Sequence, residues 1–250
     1  GRGSRFKDYV TPDGQRLTTE QWADLINFDG NANTLRLLTH QFNGRRKGGF
    51  VMTYATLASI VKYPYSSIAG AAKSKFGFFD SERATYKRLA EELGIPCMEC
   101  ADGMERYARH PLVYLVEAAD DICYEIMDIE DAHKLKLLSS DETLQLFLGF
   151  FEEDEQQQLM ASYASDTDVD DQIVYLRSCV INALERACVE IFVEHESEIL
   201  NGTFAGSLIN HLPPKLFEAY KSCERVAVQR IYQSKSVTDI DLSGYHIIYT

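Results

Sequence analysis

The segment from residue 112 to about residue 138 constrains the fold of this chain more than any other part of the sequence. It follows His110-Pro111 and is the strongest predicted helix. Its aliphatic residues spread around much of the helix circumference: Val113, Val116, Ile122, Ile126 and Ile129. A helix that is apolar on most of its sides is usually buried. The sequence therefore predicts a long, largely buried helix here.

The rest of the chain also favours helices. Helical spacing of apolar residues, with proline or glycine at the segment ends, predicts helices over residues 22–28, 33–42, 53–61, 83–93, 141–151, 172–195 and 214–234. Strand-like alternation is confined to residues 245–249. The fold class that follows is all-α. We expect residues 1–27 to be a poorly defined N-terminal segment and residues 28–250 to form a helical core with a C-terminal helical part.

Composition excludes some classes of function. The net charge of −13 argues against a protein that coats nucleic acid, which would carry a basic surface. It leaves an anionic substrate possible, because a few lysines and a metal ion can invert the local potential. No apolar run is long enough to span a bilayer, and no signal peptide is recognisable. We therefore expect a soluble, cytoplasmic protein without a membrane partner.

Two short motifs leave alternatives open. Cys97 and Cys100 are the only closely spaced cysteines, and no second pair or suitably spaced histidines complete a zinc site. We expect reduced thiols rather than metal ligands. The basic run of residues 44–49 is expected to be a solvated turn, with a surface that faces an anion as the alternative.

The long helix also carries a polar pattern. Asp120, Tyr124 and Asp128 are spaced i, i+4 and i+8, so they share one helix face. Carboxylates on a buried helix are costly unless they are paired, hydrogen-bonded or bound to a metal ion. A solvated stripe of acids is the alternative interpretation, and spacing alone does not decide between the two.

Residues 117–131, read in full, resemble the final metal-ligand helix of the dGTPase-like triphosphohydrolases of the HD-domain superfamily. The resemblance implies that Asp120 is a metal ligand. It also implies that Tyr124 packs on the deoxyribose and disfavours a 2′-hydroxyl, and that Asp128 accepts a hydrogen bond from the 3′-hydroxyl. The implied fold is an HD-domain-like helical bundle, incomplete in this chain.

Further motifs match the family in the same order. Residues 28–36 resemble its glycine-asparagine-alanine motif, which makes Asn31 a candidate pocket residue, although Asn33 stands where glutamine is more usual. The resemblance implies that Lys62, Tyr63 and Lys75 contact the triphosphate, and lysine is a suitable point-charge partner for phosphate. Residues 194–209 also match. The likeness covers most of residues 28–210.

The sequence departs from the family at the metal site. The family uses an adjacent His-Asp pair upstream of the glycine-asparagine motif, and no His-Asp dipeptide occurs here. The catalytic residues are therefore unknown, and one aspartate cannot hold a catalytic metal ion by itself. We expect the chain to be a fragment of a longer enzyme and inactive alone.

For the intact parent, the resemblance implies hydrolysis of dGTP or another dNTP to a deoxynucleoside and tripolyphosphate. It also implies a divalent metal cofactor, Mg²⁺ or Mn²⁺, and a homo-oligomer, with a hexamer possible. Control by single-stranded DNA stays open. The alternatives are a non-catalytic dNTP-binding regulator and a helical interaction module.

Overall fold

The computed structural model describes residues 9–44, 48–70, 75–101, 104–162 and 168–249 of the chain, with the side chains of residues 235, 236, 248 and 249 left out. Eleven α-helices and one two-stranded sheet lie within these residues. The predicted all-α class is confirmed. The three central residues of the basic run at 44–49 fall outside the described part. None of the described helices is both long and apolar enough to cross a membrane.

The chain divides into two compact units. Unit 1 comprises residues 1–116 and 195–205, and unit 2 comprises residues 117–194 and 206–250. The elements before the long helix are α1 (Thr19–Ile26), α2 (Gly30–Thr39), α3 (Tyr54–Ser59), α4 (Asp80–Leu93), β1 (Cys97–Glu99) and β2 (Arg106–Tyr107). The long helix α5 (Pro111–Lys134) begins in unit 1 and continues in unit 2.

The later elements are α6 (Ser140–Leu148), α7 (Glu153–Ala161), α8 (Val169–Glu194), α9 (Glu196–Leu200), a 3₁₀ turn (Leu208–His211), α10 (Pro214–Val226), a π-helical segment (Ala227–Tyr232) and α11 (Lys235–Tyr249). Helix starts follow local chemistry. Thr18 and Ser139 cap α1 and α6 with capping boxes, in which the cap side chain and the third helical residue satisfy each other's backbone amides.

The core of unit 1 is built on aromatic side chains. Phe78 stacks on Tyr86 with ring centroids 4.8 Å apart, and Tyr107 meets Tyr86 edge-on at 5.3 Å. Leu35 of α2 and Leu89 of α4 complete this fully buried cluster. Such aromatic pairs add about 0.5–1.5 kcal/mol each beyond the area that they bury. The cluster therefore fixes α2, α4 and β2 against one another.

Unit 2 is held by long helices with complementary buried faces. The buried face of α8 follows helical spacing: Ile173, Leu176, Val180, Leu184 and Ile191. Helix α8 packs against α6, and α10 packs against α6. A buried ion pair joins α5 to α8, because Arg177 binds the almost completely buried Glu130. A carboxylate in that position needs such a partner to remain charged.

Three details of the sequence analysis are corrected. Residues 245–249 lie in helix α11 and do not form a strand. The α-helix over residues 214–234 ends at Val226, where the chain widens into the π-helical segment. Cys97 and Cys100 form a disulfide instead of remaining reduced thiols.

Candidate functional site

The three predicted residues of α5 lie together on its solvent-facing side, in unit 2. Asp120 is exposed, Tyr124 is 65% exposed and Asp128 is half-buried. The opposite face of the helix carries its buried aliphatic residues: Ile122, Ile126 and Ile129. The helix is therefore amphipathic rather than buried on most sides, and the exposed aromatic ring stands between two carboxylates spaced one turn away on each side.

Asp128 is held by a residue that sequence reasoning did not single out. The hydroxyl of Tyr232 donates a hydrogen bond of 2.5 Å to Oδ2 of Asp128. Burial, together with the hydrogen bond to the Asp128 carboxylate, raises the pKa of Tyr232, so the phenol keeps its proton. Tyr232 ends the π-helical segment, and such segments are frequent at functional sites. The two residues lie 104 positions apart, so no local pattern could have revealed the pair.

A buried acid, Glu125, follows Tyr124 on α5. Glu125 is 8% exposed, and its Oε1 atom has no hydrogen-bond partner among the described residues. Burial raises the pKa of Glu125 to about 7, with smaller contributions from the charges of Glu224 and Asp128 and an opposing one from Lys221. Glu125 is therefore poised to change charge near neutral pH.

The described residues do not form a metal centre. Nowhere in that part of the chain do three His, Cys, Asp or Glu side chains group in a way that could hold a metal ion. Asp120 is exposed and supplies one carboxylate. A catalytic divalent ion needs more protein ligands than this. The residues present do not fit a complete metal site, and Asp120 remains a predicted ligand.

The candidate phosphate-side residues lie in unit 1, where Asp29 connects two of their segments. Asp29 caps α2 and accepts hydrogen bonds from the backbone amide of Asn31 at 2.8 Å and from its side-chain Nδ2 at 2.7 Å. The other carboxylate oxygen accepts a bond from the amide of Phe76 at 3.4 Å. Asp29 therefore fixes Asn31 beside the loop that contains Lys75.

A close backbone approach joins that loop to the Lys62–Tyr63 segment. A Cβ atom added to Gly77 would lie 2.2 Å from the carbonyl oxygen of Tyr63, so only glycine fits there. The amide of Gly77 also donates to the carbonyl oxygen of Tyr65 at 3.1 Å. The chain therefore needs glycine at this position of the motif, for a reason visible only in three dimensions.

These contacts bring four predicted residues into one neighbourhood: Asn31, Lys62, Tyr63 and Lys75. A small aromatic cluster lies beneath them, made of Ala32, Tyr65, Phe76 and Phe79, with Tyr63 packed against it. Lys75 is exposed, and the Lys62 ammonium lies 5.9 Å from the centroid of the Tyr63 ring. Both lysines therefore adjoin this packed cluster in the chain, because Lys62 precedes Tyr63 and Lys75 precedes Phe76.

The sheet of unit 1 supports the same segment. The amide of Tyr107 in β2 donates to the carbonyl oxygen of Pro64 at 2.9 Å. The guanidinium of Arg106 lies 4.5 Å from the centroid of the Tyr65 ring and donates to the carbonyl oxygen of Ala69 at 3.0 Å. Sequence analysis did not single out Arg106, because a lone arginine in a two-residue strand carries no pattern.

Comparison with curated proteins identifies relatives of most of the chain. A Pseudomonas aeruginosa "Deoxyguanosinetriphosphate triphosphohydrolase-like protein" is 36% identical over 242 residues, which cover 92% of this chain and 52% of the relative. The protein of the same name from Synechocystis is 31% identical, covering 94% of this chain and 53% of the relative. A Cronobacter sakazakii "Deoxyguanosinetriphosphate triphosphohydrolase" is 28% identical, covering 90% and 45%.

Over more than nine-tenths of its length, this chain is similar to curated proteins named deoxyguanosinetriphosphate triphosphohydrolase or deoxyguanosinetriphosphate triphosphohydrolase-like protein. The family resemblance predicted from its motifs is confirmed. The chain spans about half the length of the curated relatives that it matches. Comparison with models of protein families found no match. Since each unit holds about half of the chain, a match over 92% of it extends across both units.

Proposed function

We propose that the protein containing this sequence hydrolyses dGTP or another dNTP to a deoxynucleoside and tripolyphosphate, with Mg²⁺ or Mn²⁺ as cofactor. The observation that carries the proposal is the solvent-facing stripe of α5, where Asp120, Tyr124 and Asp128 stand one helical turn apart. The names of the family's curated members support the substrate class.

Tyr124 and Asp128 are suited to recognise a deoxyribose. The exposed ring of Tyr124 offers an apolar face on which a sugar without a 2′-hydroxyl can pack. Asp128 has one oxygen bonded to Tyr232, which fixes the carboxylate and leaves acceptor capacity for a 3′-hydroxyl. A ribose would bring its 2′-hydroxyl toward the ring, where desolvating it costs free energy.

Lys62, Tyr63, Lys75 and Asn31 are proposed to contact the triphosphate side of the substrate. The chain is strongly acidic, so lysines concentrated in one neighbourhood make that part of unit 1 locally less negative. Lysine binds phosphate as a compact point charge. The amide of Asn31 adds a neutral polar group whose orientation Asp29 fixes.

Asp120 is proposed to be one ligand of the divalent ion. The ion would supply a Lewis acid for attack on a phosphorus atom. The described residues do not supply a complete set of further ligands, so we derive no step through it. We also propose a homo-oligomer on the family resemblance alone, which light scattering on the purified protein tests directly.

The test of the function is tripolyphosphate release from dGTP and from GTP by the whole protein, with Mg²⁺ or Mn²⁺ present. Tyr124→Ala should raise kcat/KM for GTP relative to dGTP by about tenfold or more, because about 1.4 kcal/mol of discrimination equals a factor of ten. Tyr124→Phe keeps the ring and should preserve the preference. An unchanged preference in Tyr124→Ala would contradict the role of this residue, and absence of release would contradict the activity.

One observation favours a second candidate, a dNTP-binding regulator without turnover. The described residues lack a complete metal site. Equilibrium binding of dGTP separates the two functions, because a regulator binds dGTP and keeps the Tyr124-dependent preference without releasing tripolyphosphate. A helical interaction module would show neither property, and Asp120→Asn would leave its partner binding unchanged.

A further inference from the structure

The Cys97-Met98-Glu99-Cys100 motif has no role in the proposed site, yet the structure joins its two cysteines. They form a disulfide with their Cα atoms 5.9 Å apart. Cys97 lies in β1 and packs against the aromatic core cluster, whereas Cys100 is exposed at the end of the strand. One sulfur is therefore open to a reagent, and the other is tied to the fold.

The disulfide opens onto a cavity of about 410 Å³. Its lining includes Lys87, Glu91, Glu105 and Tyr107, together with both cysteines. A cavity of this size admits a small thiol compound beside the sulfur–sulfur bond. Two of the lining side chains are carboxylates against the one ammonium of Lys87, which favours a reagent with no negative charge besides its reacting thiolate.

A short line of backbone hydrogen bonds leads from the disulfide to the candidate phosphate segment. Cys97 of β1 pairs with Tyr107 of β2, and the amide of Tyr107 donates to the carbonyl oxygen of Pro64. Tyr65, the next residue, forms a bridge with Arg106 of β2. The two-residue strand β2 therefore lies between the cysteine pair and residues 62–65.

We propose that Cys97 and Cys100 form a reversible thiol–disulfide switch that exchanges with small uncharged dithiols and sets the order of residues 62–65. An effect of this order on substrate binding rests on the proposed function, in which Lys62 and Tyr63 contact phosphate. The exchange and the change in order are independent of catalysis.

The chemistry is a two-electron exchange. A thiolate of dithiothreitol attacks Sγ of the exposed Cys100, breaks the disulfide and forms a mixed disulfide, and Cys97 leaves as a thiolate that takes up a proton. The second thiolate of the reagent then attacks the reagent's other sulfur, which is the one bonded to Cys100, and closes a ring. Cys100 leaves and is protonated. The protein gains two electrons and two protons, and the dithiol is oxidised to its cyclic disulfide.

Reduction should loosen the sheet. The bond closes a loop of four residues, so its loss should lower the Tm of unit 1 by about 5 °C through the entropy returned to the unfolded chain. The amides of Tyr65 and Tyr107 should exchange with solvent several-fold faster, because the end of β1 is no longer braced by the bond and its pairing with β2 opens more often.

The experiment poises the protein in mixtures of reduced and oxidised dithiothreitol, alkylates it after denaturation and maps the labelled cysteines by mass spectrometry. Hydrogen exchange is followed over residues 60–70 and 96–108 in the same buffers. We expect labelling of Cys97 and Cys100 to rise together with the reduced fraction, and exchange to rise with it. Cys97→Ser/Cys100→Ser should show fast exchange in every buffer, whereas Cys179→Ser, on α8, should behave like the unaltered protein.

The other outcomes overturn the proposal. Labelling of both cysteines in every buffer would show that no disulfide forms, and labelling in none would show a permanent bond. If hydrogen exchange over residues 60–70 is the same in reducing and oxidising buffers, the disulfide does not control the order of residues 62–65. Failure of dNTP hydrolysis changes none of these readouts, so the two proposals can fail separately.

Discussion

Replacing Glu125 with glutamine tests the electrostatics of the buried face of α5. The carboxyl is 8% exposed, and Lys221 is the only cation among the charges that act on it, against Glu224 and Asp128. Burial first, and then those two acids, raise its pKa from 4.5 to about 7. Glutamine keeps the size of the side chain and mimics the protonated form without its charge.

The sign follows from proton binding. Below pH 4.5 the carboxyl is protonated in both the folded and the unfolded chain. Between pH 4.5 and about 7 the folded chain keeps a proton that the unfolded chain has lost, so stability falls as pH rises. Above about pH 7 the folded chain has lost the proton as well, so this group lowers the free energy of unfolding no further. The free energy of unfolding should lose about 2–3 kcal/mol from this one group between about pH 5 and about pH 8.

The assay is urea unfolding of the unaltered protein and of Glu125→Gln at those two pH values. The variant should gain about 2–3 kcal/mol relative to the unaltered protein on going to the higher pH, because it lacks the charge. Glu190→Gln, which replaces an exposed acid on α8, is the matched control and should show no such gain. A difference between Glu125→Gln and the unaltered protein that stays the same at both pH values would refute the reasoning.

Two stability predictions concern close contacts. Gly77→Ala places a Cβ atom against the carbonyl of Tyr63 and should lower the free energy of unfolding by about 2 kcal/mol or more in thermal unfolding. Gly30→Ala, with open space around the added atom, should cost nothing. Equal effects of the two substitutions would contradict the close approach. Arg177→Met leaves the buried Glu130 with Lys134 as its remaining cation and should cost about 3 kcal/mol in urea unfolding. Adding Glu130→Gln should recover most of that loss, and a double variant as unstable as the single one would contradict the ion-pair account.

The sequence predicts what local spacing determines. The i, i+4 and i+8 positions of Asp120, Tyr124 and Asp128 place them on one face in the structure as well, because helical periodicity is local. The link between Asp29 and Asn31 is equally local, since an aspartate at a helix start bonds the amide two residues on.

Contacts between distant segments could not be predicted. Nothing near Asp128 indicates that Tyr232 will bond to it, and nothing near Gly77 indicates that the carbonyl of Tyr63 will approach. The tail at residues 245–249 shows a different failure, because a short apolar run suits either a strand or a helix, and the length of α11 decides.

The π-helical segment limits how this stretch of chain can vary. If the same six residues from Ala227 to Tyr232 wound as an α-helix, Tyr232 would lie about 100° further around the helix axis. The hydroxyl of Tyr232 would then point away from Asp128. The π-helical winding of this segment is therefore tied to a hydrogen bond with a helix whose sequence begins more than a hundred positions earlier.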